Sequence, residues 1–178
     1  LRIGFYVPWD PDSAVSLRRH YGDLDWVVTA QSQVAMPSGH LAFQDDPRLR
    51  AIARSSVHQP ATLLMVQNIA HEKWDGDGMA RVLADRGKSD RLIADTIAAV
   101  RAAGWNGAVF DIENVPVSAL PAYRGFLERA NKAFDKQKLV LVMTAPAGEP
   151  EWNLRSFAAA VDFVIFMDYD DHWQGGTP

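Results

Sequence analysis

The 178-residue chain contains no cysteine, so disulfide bonds and thiolate chemistry are excluded and the redox compartment is left open. No apolar run approaches the roughly 20 residues of a transmembrane helix. The chain also lacks an excess of positive charge: its formal net charge of −4 argues against nucleic acid or an anionic membrane as the main partner. Because no low-complexity segment or linker divides the sequence, residues 1–178 are predicted to form a single domain.

The first residues, Leu1-Arg2-Ile3-Gly4, are typical of a strand and not of a signal peptide or an initiator region. We therefore expect the sequence to be a processed or excised piece of a longer protein. Further domains in that parent protein are an open option.

Six short and mostly continuous apolar runs recur along the sequence, each followed by a turn and a helical pattern. Such runs are typical of parallel strands that helices cover on their faces. The clearest helix is predicted over residues 90–103, with Ser89 as its N-cap and Gly104 just beyond its end; a second is predicted over 118–136. The predicted strands span residues 2–7, 25–30, 61–67, 107–112, 139–144 and 162–167.

Strands that alternate with helices predict βαβ units and a parallel sheet. An eight-unit barrel typically needs about 250 residues. The pattern therefore leaves two options, a barrel of which this chain supplies six units and an open doubly wound sheet. Aromatic residues cluster in segments that follow strands, the face where parallel α/β folds place their sites, and such rings suit stacking against sugars. These tryptophans are Trp9, Trp74, Trp152 and Trp173.

The most informative segment is 106–113, an apolar run that ends with Asp111 and Glu113. Alternation along a strand directs both carboxyl groups to one side, about 7 Å apart at their Cα atoms. Two acids this close cannot both ionise freely, so one is expected to hold a proton at neutral pH, as a general acid must. We expect Glu113 to be the protonated member. The alternative interpretation is a strand that runs into a solvated, acidic loop.

Three segments resemble glycoside hydrolase family 18, whose members are chitinase-like (β/α)8 barrels. Residues 106–113 follow the family pattern D-x-x-D-x-D-x-E, with Asn106 and Val109 in place of its first two acids. Residues 167–170 match the family's M-x-Y-D, and residues 3–9 resemble its first strand. The resemblance implies a TIM-type parallel barrel whose first six β/α units are present in this chain.

The resemblance also implies hydrolysis of β-linked N-acetylglucosamine polymers by a retaining, substrate-assisted mechanism. Glu113 would protonate the glycosidic oxygen, Asp111 would orient the acetamido group whose oxygen is the nucleophile, and Tyr169 would donate a hydrogen bond to that group. The residues expected to bind substrate are Tyr6, Trp9, Met143, Met167, Asp170 and Trp173. The resemblance further implies an oligo- or polysaccharide partner that contains N-acetylglucosamine, no cofactor, and an extracellular, periplasmic or cell-envelope location.

Two alternatives accompany this hypothesis. The loss of the acid at Val109 also suits a non-hydrolytic carbohydrate-binding domain of a larger polysaccharide-processing protein. The acidic cluster at the carboxyl end of the sequence is a candidate metal site, since carboxylates and imidazole suit divalent ions. Strand alternation places Asp168 opposite Tyr169, however, so we expect no metal there. The cluster consists of Asp168, Asp170, Asp171 and His172.

Overall fold

The computed structural model describes residues 1–168, which form nine strands and six α-helices, with short 3₁₀ helices at Tyr21–Asp23 and Val117–Ala119. The strands are β1 (Ile3–Tyr6), β2 (Trp26–Ala35), β3 (His40–Phe43), β4 (Ala61–Gln67), β5 (Ile69–Ala70), β6 (Lys73–Trp74), β7 (Gly107–Asp111), β8 (Val140–Pro146) and β9 (Phe163–Met167). The helices are α1 (Pro11–His20), α2 (Pro47–Arg54), α3 (Gly76–Ala84), α4 (Arg86–Ala103), α5 (Leu120–Lys136) and α6 (Leu154–Ala158).

The main sheet has seven strands, and six of them lie side by side in the order in which they occur in the chain, β1-β2-β4-β7-β8-β9. Every neighbouring pair in this series is parallel. A doubly wound sheet would reverse its strand order part-way across, and this sheet does not. The strand order therefore confirms a TIM-type barrel over the open sheet, with six strands present and sheet edges at β1 and β9 within residues 1–168.

Side chains of the parallel strands alternate between an inner core and an outer one, as the pleat of a strand requires. The outer core packs under the helices; in it the ring of Phe110 on β7 meets that of Phe126 on α5 edge-on, with centroids 5.0 Å apart. A smaller outer cluster lies under α1 and α2 and includes Tyr6, Leu17 and Ile52. The barrel interior is lined by Val28, Ala30, Leu63, Met65, Val109 and Val142.

Two helix boundaries show which caps the sequence specifies. Helix α4 ends at Ala103, as predicted, with Gly104 in the left-handed conformation at φ 72°. Its start was predicted wrongly, because Asp85 is the N-cap and accepts a hydrogen bond from the Lys88 backbone N–H. Ser89 instead lies buried inside the helix and donates to the carbonyl of Arg86. Within residues 1–168, no helix combines the length and the apolarity needed to cross a membrane.

Two hairpins at the carboxyl edge of the sheet were not predicted. Strand β2 continues beyond the predicted end at Ala30 as far as Ala35, where the chain folds back as the antiparallel strand β3. Strands β5 and β6 form a second hairpin, with His71 and Glu72 at positive φ in its turn. Both hairpins rise beside the strand ends and so build walls around the site described next.

Candidate active site

Asp111 is the last residue of β7 and points into the barrel, on the same face as Val109 of the inner core. Its side chain is nearly buried, and both carboxylate oxygens are occupied. Oδ2 accepts a hydrogen bond from Gln67 Nε2 at 2.8 Å, and Oδ1 accepts one from Thr144 Oγ1 at 2.7 Å. The two donors lie on β4 and β8, the strands on either side of β7, so the carboxylate is fixed from both sides.

Glu113 lies two residues beyond Asp111, just past the end of the strand, and is partly buried. Its backbone is held by the side chain of Asn68. The Glu113 N–H donates to Asn68 Oδ1 at 2.9 Å, and the Glu113 carbonyl accepts from Asn68 Nδ2 at 2.8 Å. The next residue, Asn114, is at a positive φ of 56°, so the chain turns sharply away after the second acid.

A cleft of about 980 Å³ opens at the carboxyl ends of β1, β2 and β4, between the two hairpins. Trp9 stands on its rim with 69 % of its surface exposed. Gln67 lines the cleft and also donates to Asp111, so one side chain of the cleft wall contacts the acid pair. Other lining residues are Gln31, Ser32, Gln33, Phe43, Asp45, Asp46, Arg48, Ile69 and Glu72.

The wall of the cleft is braced by Asp46, the N-cap of α2. Its carboxylate accepts hydrogen bonds from the Tyr6 hydroxyl at 2.5 Å and from the Arg48 guanidinium at 2.7 Å. The hydrogen bonds from Arg48 lower the pKa of Asp46 to about 2. Burial, with the hydrogen bond to Asp46, raises the pKa of Tyr6 to about 12. This pair is therefore a structural brace, since neither group titrates near neutral pH.

Solved structures of spore cortex-lytic enzymes and of chitinases share this architecture. The spore cortex-lytic enzyme SleL of Bacillus cereus superposes with a TM-score of 0.85, at 24 % identity, over 99 % of this chain and 42 % of that one. A class V chitinase of Pseudomonas fluorescens gives 0.86, at 19 % identity, over 98 % of this chain and 56 % of that one. The chain has the chitinase fold. It is the fold that the resemblance to glycoside hydrolase family 18 implied.

The sequence itself is also similar to curated proteins, although no model of a known family matches it. The cortical fragment-lytic enzyme of Bacillus subtilis is 27 % identical over 154 residues, which are 81 % of this chain and 35 % of that protein. The enzyme of the same name from Bacillus cereus is 25 % identical over 124 residues, 29 % of its length. The chain thus spans about a third of the length of the curated relatives that it matches.

The chitinase-like barrel corrects two of the predicted substrate-binding residues. Tyr6 is fully buried in the cluster under α1 and α2, and Met143 is fully buried in the outer core. Both side chains face the helix layer, because side chains alternate along a strand and the other set of positions faces the barrel interior. On β1 the residue that packs against the inner core is Ile3, and on β8 the inward position next to Met143 is Thr144. Neither Tyr6 nor Met143 is open to a ligand.

The roles of two other predicted ligand residues stay predictions, and the structure gives only their positions. Trp9 lies on the cleft, and Met167 shares the inward face of β9 with Ile165, which packs against the inner core. The prediction for Trp152 as a rim residue is wrong: its ring is buried against Phe157 and Tyr123 in the outer core.

Tyr169, Asp170 and Trp173, and the rival metal ligands Asp171 and His172, lie outside the described residues. Within residues 1–168 no group of three or more His, Cys, Asp or Glu side chains is arranged to hold a metal ion.

Three residues that complete the site were missed. Gln67 and Asn68 follow the apolar run of β4 at the same level at which Asp111 and Glu113 follow that of β7. Thr144 lies at the corresponding level of β8. A polar residue directly after a buried parallel strand was the available signal, since the carboxyl ends of such strands converge on one site.

Proposed function

We propose that this chain carries the acid pair of a glycosidase that hydrolyses β-linked N-acetylglucosamine polymers, with Glu113 as the general acid and Asp111 as the residue that orients the acetamido group. The observation that carries the proposal is the Asp111 carboxylate, fixed by Gln67 and Thr144 at the carboxyl end of a barrel strand two residues before Glu113. The names of the similar proteins, cortical fragment-lytic enzyme and chitinase, support a polysaccharide substrate.

The proposed reaction has two steps. In the first, the Glu113 carboxyl group gives its proton to the glycosidic oxygen while the bond from that oxygen to the sugar C1 breaks. The acetamido oxygen of the same sugar forms a bond to C1, and Asp111 accepts a hydrogen bond from the acetamido N–H as positive charge develops. In the second step, Glu113 takes a proton from water, whose oxygen attaches to C1 and opens the ring of the intermediate. Two displacements retain the configuration at C1.

Val109 restricts the Asp111 side chain to one orientation. The side chain at this position is fully buried in the apolar inner core, so it offers Asp111 no hydrogen bond from within the barrel. The neutral donors Gln67 and Thr144 take that role from the sides. Asp111 in this chain is therefore an acceptor held in one orientation, which suits a residue that must meet the acetamido N–H at a fixed angle.

The cleft supplies a surface for the sugar chain. Trp9 presents an exposed ring on its rim, and amide side chains such as Gln33 and Gln67 line its walls. Flat aromatic rings combined with a few polar groups suit the apolar faces and the hydroxyl edges of sugars. A substrate of this class supports a site of action in the cell envelope or outside the cell.

The experiment uses the complete protein that contains this chain and soluble N-acetylglucosamine oligomers of defined length. Binding is measured by calorimetry and cleavage by chromatography of the products. Glu113→Gln should lower turnover at least about a hundredfold and leave affinity within a few-fold, because the amide keeps the shape but has no proton to transfer. Glu128→Gln is the matched control, since Glu128 is an exposed acid on α5 that pairs with Arg124.

Two results would contradict the proposal in different ways. Binding without products in the wild-type protein, unchanged by Glu113→Gln, would identify a carbohydrate-binding domain. Turnover that survives Glu113→Gln would remove Glu113 from the reaction, whatever the protein binds.

A further inference from the structure

We propose that Asn68 is a positioning residue that fixes the backbone of Glu113 and so sets the direction of the Glu113 carboxyl group. Asn68 itself touches no reacting atom. The inference rests on the proposed function, because a direction for the carboxyl group matters only if that group transfers a proton.

Asn68 extends the pairing of two strands by means of its side chain. The parallel ladder between β4 and β7 ends at the pair Gln67 and Asp111. One residue further, the Asn68 amide donates to the Glu113 carbonyl at 2.8 Å and accepts from the Glu113 N–H at 2.9 Å. An amide side chain carries one acceptor oxygen and an NH₂ donor, as a backbone peptide carries C=O and N–H. Asn68 therefore acts as one more rung of the ladder, placed at the catalytic position.

Asn68 is itself buried and anchored through its backbone. It has no exposed surface, and its backbone carbonyl accepts a hydrogen bond from the Asp75 N–H at 2.8 Å. Asp75 in turn caps helix α3 by accepting from the Gly78 N–H at 2.7 Å. The brace on Glu113 is thus anchored to the start of a helix and not to a free loop.

The same helix start closes on the residue that follows Glu113. A Cβ atom at Gly76 would collide with the carbonyl oxygen of Asn114, so only glycine permits this approach. Asn114 is also at positive φ, where the chain turns. The turn at Glu113 and Asn114 consequently lies between the Asn68 amide on one side and the first turn of α3 on the other.

The same two hydrogen bonds are also expected of a residue that only stabilises the fold. The chain offers a matched control for such a purely structural role. Asn106 joins β4 and β7 at their opposite ends, where its Oδ1 accepts from the Thr62 N–H at 2.9 Å. Asn106 lies seven positions before Glu113 in sequence, roughly 20 Å away along the strand direction. Loss of Asn106 removes a bond between the same two strands and leaves the acid pair untouched.

The test measures kcat and KM of the complete protein on a soluble N-acetylglucosamine oligomer for Asn68→Ala and Asn106→Ala, each made in the wild-type and in the Glu113→Gln background. Asn68→Ala should lower kcat by about 10- to 100-fold and leave KM within about threefold, because a misplaced catalytic group costs rate and not substrate binding. In the Glu113→Gln background the same change should cause no further loss, since two residues that act as a unit are non-additive. Asn106→Ala should leave kcat within about twofold.

A second variant keeps the inference testable if Asn68→Ala does not fold. Asn68→Asp preserves the volume and the acceptor for the Glu113 N–H but removes the donor to the Glu113 carbonyl. It should lower kcat only while Glu113 is present, because it sets a second acceptor oxygen against the Glu113 carbonyl.

The outcomes separate the two proposals. If Glu113→Gln abolishes turnover but the changes at Asn68 leave kcat intact, add their full effect in the Glu113→Gln background, or merely match Asn106→Ala, the positioning role is overturned and the proposed function stands. If the wild-type protein has no turnover, or Glu113→Gln keeps it, both proposals fall.

Discussion

The brace at Asp46 should make the stability of the barrel depend on acidity in a narrow range of pH. Only 7 % of Asp46 is exposed, and its carboxylate accepts bonds from Arg48, from Tyr6 and from the first turn of α2. The Arg48 hydrogen bonds are the largest cause that lowers its pKa from 3.8 to about 2. The folded protein therefore holds the Asp46 proton less tightly than the unfolded chain does.

The size and the sign of the effect follow from that difference. Because the unfolded chain binds more protons between the two pKa values, the stability that Asp46 contributes is complete above pH 3.8 and is lost as the pH falls towards about 2. The gap between the two values corresponds to about 2 kcal/mol in the free energy of unfolding. Asp46→Asn removes the charge and hence this contribution.

The measurement is urea unfolding, followed by tryptophan fluorescence, of the wild-type protein and of Asp46→Asn from pH 2 to pH 7. We expect the wild type to be more stable by about 2 kcal/mol at neutral pH, and the difference to shrink towards zero near pH 2. Asp45→Asn is the matched control, because the neighbouring Asp45 is more exposed and its pair with Arg50 should contribute under about 1 kcal/mol. A difference that stays constant with pH, or an equal effect of Asp45→Asn, would refute the reasoning.

The remaining predictions concern the acid pair and the cleft. Thr144→Val removes one of the two donors to Asp111 and should lower kcat about tenfold with little change in KM. Thr96→Val removes a buried hydroxyl that donates to the Leu92 carbonyl within α4, and it should cost stability alone. Equal kcat values for the two variants would contradict the role of Thr144. Trp9→Ala should weaken oligosaccharide binding about 5- to 20-fold in calorimetry through lost stacking, and Val57→Ala, outside the cleft, should not; an unchanged affinity would place the sugar elsewhere.

Local sequence was sufficient to predict the parallel strands and the position of the acid pair. The apolar runs before Asp111 and before Thr144 are continuous because helices cover one side of each strand and the inner core covers the other. Gly104 marked the end of α4 correctly, since a left-handed residue there favours glycine. Asp111 and Glu113 stood at the end of such a run, which is where parallel barrels place reactive groups.

Strand order and hairpins needed the tertiary structure. Alternating strands and helices suit a barrel and a doubly wound sheet equally, and only the observed pairing of all six parallel strands in chain order separates them. The extension of β2 to Ala35 depends on its partner β3, with which it forms the wall of the cleft. Pairing of this kind is a long-range choice that the local pattern does not record.

The direction of each side chain was also decided only by the tertiary structure. Where both faces of a strand are buried, both sets of alternating residues are apolar, so the sequence does not mark which set lies inside the barrel. Tyr6 and Met143 were placed on the wrong face for this reason, and the fold turns Ile3 and Thr144 inward instead. The sequence determined that two acids end a buried strand. The neighbouring strands decided which side chains hold them there, because those contacts join residues more than 30 positions apart.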